Sequence, residues 1–169
     1  MPELNAVMAF AKEHWEQISV FANSIGAWFS LLSFSGETLD HCLFVSPVLD
    51  MKQLTLKMMN WANVSEEQLK KERVIPTSFG QTLSLDYWNY VLSHPITKWI
   101  SPTNILYGAK DHLMDYETVE SFARQFHCRL TVMENGGHWF HTEPQMDFLR
   151  RWLTGNFKDE DIPDMRPTA

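Results

Sequence analysis

Residues 17–30, QISVFANSIGAWFS, decide the fold. Gln17 to Ala22 reads as a short apolar strand, Asn23-Ser24-Ile25-Gly26 breaks it, and an apolar helix starts at Ile25. So abrupt a strand-to-helix turn holds its central side chain exposed at the strand's C-terminal end. Small neighbours keep such a turn free of clashes, and Ala22 and Gly26 flank Ser24 two positions either side. The helix also points its unpaired first-turn N–H groups back at the turn, which suits a developing negative charge. A serine here either caps the helix or serves as a nucleophile, and the turn alone does not separate the two.

Working outward, Leu4, Val7, Met8, Phe10, Ala11 and Trp15 recur at helical spacing between Pro2 and Trp15. Leu39 to Val45 reads as a second buried strand, closed by Ser46-Pro47. Helix, strand, helix, strand predicts an α/β fold with a mostly parallel sheet and helices on its faces. The pattern returns further on, with strands at 103–107 and 129–133 and helices at 116–126 and 145–153.

Between them, Val48 to Trp99 is rich in Met and Trp. It is expected to hold helices at 54–62, 65–73 and 84–92, with Ser65 and Gln68 forming a capping box and no strand. It is longer than a crossover requires, so it reads either as a lid or as a helical layer over the sheet. As a lid it would supply an adaptable apolar pocket wall, with Met58, Met59, Trp61 and Trp88 as the expected substrate contacts. The division expected is a core of residues 1–47 and 100–155, a helical cap at 48–99, and a polar tail at 156–169 that frays.

Composition narrows the function classes. The 169 residues suffice for one sizeable core, and 44% hydrophobic with 13% aromatic residues marks a globular chain. A formal net charge of -7 without a basic patch argues against nucleic acid as a partner. Cys42 and Cys128 lie in or beside apolar runs, so they read as free thiols in a reducing, cytoplasmic setting. No signal peptide and no apolar run of membrane-spanning length is evident. His138, His141 and Glu143 lack the partners of a metal site, and no phosphate-binding glycine loop or dinucleotide fingerprint is present.

Ligands of open parallel sheets gather at the strands' C-terminal ends. Three expected strands place a reactive residue there, in the order Ser24, Asp111, His138. A free hydroxyl is a poor nucleophile at neutral pH and needs a base. Histidine can take that proton and return it to a leaving group, while an aspartate can hold the imidazole in the right tautomer. Gly136 and Gly137 would leave the loop free to aim His138.

With these residues in view, the chain resembles the C-terminal portion of an α/β-hydrolase of the serine hydrolase superfamily, close to bacterial esterases, lipases and acylglycerol-lipase-like members. The resemblance rests on Asn23-Ser24-Ile25-Gly26 as nucleophile elbow and on Val45-Ser46-Pro47-Val48-Leu49-Asp50 after the next strand. Ile105-Leu106-Tyr107-Gly108-Ala109-Lys110-Asp111 matches the acid strand and Gly137-His138-Trp139-Phe140-His141 the histidine loop. It spans roughly Gln17 to Leu153, and a helical cap often follows the strand after the elbow in that family. Two departures stand out. Ala22 replaces the elbow's usual first glycine, and the strands that precede the elbow have no counterpart here. One of those early loops supplies half of the oxyanion hole, so the resemblance assigns only the Ile25 N–H. The strand at 17–22, usually central, would become an apolar edge open to a second copy or another chain.

The resemblance implies hydrolysis of a carboxylic ester with an apolar acyl group, through an acyl-enzyme on Ser24 and without cofactor or metal. The competing expectation is a non-catalytic member of the fold that acts by self-association or partner binding.

Overall fold

Four short strands alternate their side chains between two apolar layers, and that alternation builds the molecule. The computed structural model describes residues 2–156, and the polar tail expected at 156–169 falls, beyond Asn156, outside them. In chain order the elements are α1 (Pro2–His14), β1 (Ser19–Asn23), α2 (Ile25–Ser33), β2 (His41–Val45), α3 (Met51–Trp61), α4 (Glu66–Glu72), β3 (Val74–Pro76), β4 (Thr82–Ser84), α5 (Leu85–Ser93), β5 (Thr103–Gly108), α6 (Tyr116–Gln125), β6 (Arg129–Met133) and α7 (Glu143–Asn156). β1, β2, β5 and β6 form one sheet in that order, every neighbouring pair parallel. The expected α/β architecture is therefore present.

Cys42 and Phe44 of β2, with Ile105 and Tyr107 of β5, face the main core. There they meet Met8 of α1, Trp28 and Leu31 of α2, Leu54 of α3, Val91 of α5 and Val119 of α6. Leu43, Val45 and Leu106 face the other way, onto Phe140 and onto Trp152 of α7. β1 follows the same alternation: Ala22 enters the main core, whereas Phe21 is 54% exposed. No further strand pairs with β1 among the described residues, so β1 is the sheet's open edge.

Between β2 and β5, α3, α4 and α5 appear close to the expected positions, and Ser65 caps α4 by accepting from Gln68 N–H. The expectation of no strand here is corrected. β3 and β4 form an antiparallel pair with Ile75 opposite Leu83. Each strand buries only its middle residue; Pro76 ends the first and Gly80, at φ 82°, turns the link between them. Three residues are too few to show a period-2 pattern. Ile75 and Leu83 join Met59, Leu69, Leu85 and Trp88 in a second apolar cluster of this segment's own.

Gly108 closes β5 against the loop after β6. A Cβ on Gly108 would stand 2.5 Å from Gly136 O and 2.9 Å from Gly137 O, and one on Gly136 would stand 2.9 Å from Gly108 Cα. Contacts that short are repulsive, and only backbone is there to yield. Gly108→Ala should therefore cost about 1–3 kcal/mol. Gly36→Ala, where nothing lies within 4 Å, should leave urea midpoints within the scatter of surface changes; equal midpoints for the two variants would refute the close-approach account.

Burial also protonates the core. Desolvation pushes the Cys42 thiol from its usual 9.0 up to about 12 and Cys128 up to about 11. Tyr107 rises to about 12, first through burial and then through the carboxylates of Asp111, Asp115 and Glu117. Each group keeps its proton in the folded chain after the unfolded chain has lost it, so stability must fall as pH rises from about 9 toward 12. Urea titrations at pH 7, 9 and 11 should show that decline, and Cys42→Ala should make it shallower.

Candidate functional site

Ser24 sits between β1 and α2 with φ 51° and ψ -124°, a conformation rarely occupied by a residue with a side chain. The surrounding backbone holds it there. Ser24 N–H donates to Val45 O (3.0 Å), and Ser24 O accepts from Ala27 N–H (3.1 Å) and Val48 N–H (3.0 Å). A Cβ placed on Gly26 would lie 3.9 Å from Ala22 Cβ, an ordinary contact. The small pair flanks the turn as expected, with room for one methyl more.

Ser24 occupies the N-cap position of α2, yet its side chain makes no capping bond. The hydroxyl instead lies 2.8 Å from His138 Nε2. On the far side of the ring, His138 Nδ1 is 2.7 Å from Asp111 Oδ2. With the Nδ1 proton donated to the carboxylate, Nε2 is left to accept the Ser24 proton; the network assigns this tautomer. The Asp111 and His138 side chains are both 0% exposed. The second carboxylate oxygen, Oδ1, accepts from Leu113 N–H at 2.8 Å. An enclosed carboxylate is costly unless its lone pairs are used, and here both oxygens are engaged.

The two loops that carry acid and histidine are joined through their backbones. Ala109 N–H donates to Met133 O (2.9 Å) and Lys110 N–H to Gly136 O (2.8 Å). The expected role of Gly136 thus shifts: it allows close approach to Gly108 rather than freedom to swing. A Cβ added at Gly137 would meet nothing within 4 Å.

The structure brings together Ser24, Asp111 and His138. Ile25, 43% exposed, opens α2, where a first-turn N–H has no intrahelical acceptor. Of the four expected pocket residues, Met59 and Trp88 are 3% and 2% exposed inside the second apolar cluster. They hold that segment together and present almost no surface. Met58 is half-buried, and Trp61 is 46% exposed, edge-on to Phe79 at 6.0 Å and 6.4 Å from the His112 ring. Sequence reasoning passed over Trp139, whose ring stands T-shaped to His138 at 5.0 Å, with 67% of its surface exposed. Its adjacency to His138 was the available signal.

Two other acids that follow strand ends are engaged elsewhere: Asp50 caps α3 by accepting from Gln53 N–H, and Asp115 pairs with Lys57. Among the described residues no three His, Cys, Asp or Glu side chains are grouped as metal ligands, and no helix is long and apolar enough to cross a membrane. A cavity of about 600 Å³ lies between α2, α3, α5 and α6, floored by Trp28, Leu49, Val91 and Phe122; none of the three hydrogen-bonded residues lines it.

Comparison with known proteins agrees with this architecture. Alpha/beta hydrolase domain-containing protein 10 from mouse superposes with a TM-score of 0.69 at 12% identity, covering 88% of this chain and 65% of its own. Est1E from Butyrivibrio proteoclasticus does so at 0.67 and 17%, covering 89% and 68%. An alpha-beta serine hydrolase homologue from Coxiella burnetii gives 0.56 at 20%, covering 92% and 57%. The chain thus spans about two thirds or less of the length of these neighbours. Curated protein sequences yield no match. The sequence family described as the alpha/beta hydrolase fold matches residues 18–145, and the chain belongs to that family.

Proposed function

We propose that this hydrolase-fold chain is a serine hydrolase that cleaves carboxylic esters through an acyl-enzyme on Ser24. The observation that carries the reading is the Ser24 hydroxyl, which forgoes its own helix's N–H groups to meet His138. In this mechanism Ser24 Oγ attacks the ester carbonyl while His138 Nε2 takes its proton. The imidazolium, steadied by Asp111, then protonates the departing alkoxide. Water repeats the sequence against the acyl-enzyme and releases the acid. No cofactor takes part.

The Ile25 N–H is the one oxyanion donor this reading assigns. A missing donor costs ~10²–10³-fold in rate, so full turnover calls for a second N–H. The segment at 48–99 acts as the cap, and its exposed Trp61 and Phe79 favour an apolar acyl group. Free Cys42 and Cys128 fit a reducing, cytoplasmic setting.

A second reading has its own observation. β1 presents an unpaired edge beside the exposed Phe21, and an edge of that kind invites another strand. Under this reading the chain acts by association with a second copy. Light scattering decides it: a dimer that Phe21→Lys converts to monomer supports the reading, and a stable wild-type monomer removes it.

For the enzymatic reading, a fluorophosphonate probe should label the protein once, on Ser24. Ser24→Ala should abolish labelling, and His138→Ala should lower p-nitrophenyl ester turnover by roughly 10⁴-fold or more. Undiminished labelling of Ser24→Ala, or none of the folded wild-type protein, would sink the proposal.

A further inference from the structure

The α3 helix touches the segment after Asp111 once per turn. Gln53 Nε2 donates to Thr118 Oγ1 (2.8 Å), and the Thr118 hydroxyl lies 3.0 Å from Gln53 Oε1. Lys57 Nζ meets Asp115 Oδ1 at 2.6 Å. The Trp61 ring stands 6.4 Å from that of His112. Residues 53, 57 and 61 are four apart, hence on one helix face and about 6 Å apart along it. Their partners run the opposite way at intervals of three, so the two segments meet along a strip rather than at a point.

Asp115 shows that the strip draws on groups with another use. It is the N-cap residue of α6, where an aspartate ordinarily accepts from its own helix. It makes no such bond, and its carboxylate turns to Lys57 instead. Between Asp111 and Asp115 the chain is held from within as well. Leu113 N–H donates to Asp111 Oδ1, and the buried Met114 gives its carbonyl to the Tyr107 hydroxyl at 2.9 Å. The loop that presents Asp111 to His138 is therefore fixed on its inner side by β5 and on its outer side by α3.

We propose that the Gln53–Lys57–Trp61 face of α3 positions Asp111 for the reaction, with Lys57 acting on His138 through the 111–118 loop. The inference rests on the serine hydrolase reading above for its chemistry. Lys57 is a positioning residue: its ammonium reaches Asp115. A loosened loop lets Asp111 drift from Nδ1, and misplacement by about 1 Å can cost up to 10²-fold in rate. Because α3 also packs on α5, a shift of the 48–99 segment would be felt at Asp111.

The test uses the full chain carrying Lys57→Met, which keeps the stem and removes the charge, and Lys57→Arg, which restores it. Two readouts are taken: kcat and KM for p-nitrophenyl butyrate, and the low-field proton resonance of the His138 Nδ1–H bonded to Asp111. Lys57→Met should lower kcat about tenfold with KM within about twofold, and should broaden or abolish the resonance; Lys57→Arg should return both toward wild type. A rise in KM at constant kcat would make Lys57 a substrate contact and overturn the proposal. So would a wild-type resonance in folded Lys57→Met, or a loss that Lys57→Arg does not restore. If the wild-type chain turns over no ester, the hydrolase reading fails, while the resonance still decides whether α3 braces Asp111. Should Lys57→Met fail to fold, Gln53→Leu carries the same measurements.

Discussion

The enclosed imidazole of His138 is the constraint on which the rest of the structure depends. Its ring has no exposed surface and is bonded on both sides, to Ser24 and to Asp111. Burying an ionisable pair is tolerable only when each polar atom finds its partner. Three loops from three different strands must therefore converge within a few tenths of an ångström. The parallel register achieves most of this. Asn23 is level with Val45, Val45 with Leu106, and Leu106 with Thr131. Ser24 then follows β1 at once, whereas the acid and histidine loops have residues to spare for reaching inward and across. Ser24 can be rigid because the other two arms are long enough to come to it.

Convergence also needs the arms to pass each other closely. Gly108 and Gly136 meet backbone to backbone, and the Ala109–Met133 and Lys110–Gly136 hydrogen bonds seal that contact. The positions of Asp111 and His138 are thereby coupled before their side chains meet. The acid is further held by its own turn, through Leu113 N–H, and by α3 through Asp115 and Thr118. Preorganisation of this kind lets the Ser24–His138–Asp111 hydrogen-bond chain keep its geometry without reorganising.

Much of this was legible in the sequence, for identifiable reasons. β1, β2, β5 and β6 are each short apolar runs ended by turn residues, and α6 carries Val119, Phe122 and Ala123 on one face, so periodicity alone placed them. Ser24, Asp111 and His138 were legible because strand ends in a parallel sheet must share one side. What escaped were properties of contact. The β3–β4 pair has three-residue strands that bury one side chain each. Met59 and Trp88 have the same composition whether they line a pocket or fill a cluster, and only their neighbours decide between the two. Gly136 reads as flexibility in one dimension and turns out to be proximity in three. The α3 strip pairs residues more than fifty positions apart, which no local pattern announces.

The edge of the sheet and the site meet at one place, because β1 runs directly into Ser24 and is also the strand at the open edge among the described residues. An interior strand is held by ladders on both sides, while an edge strand has one and opens more readily. Ser24 is tied to β2 and its following turn by bonds to Val45 O and Val48 N–H. Its strained backbone is thus held from β2 and from the first turn of α2, with no ladder on the other side of β1 among the described residues. Phe21 adds to the asymmetry: its face of β1 is largely bare, while Ala22 on the opposite face is packed. Any polypeptide that paired with β1 and covered Phe21 would stiffen the turn from its second side.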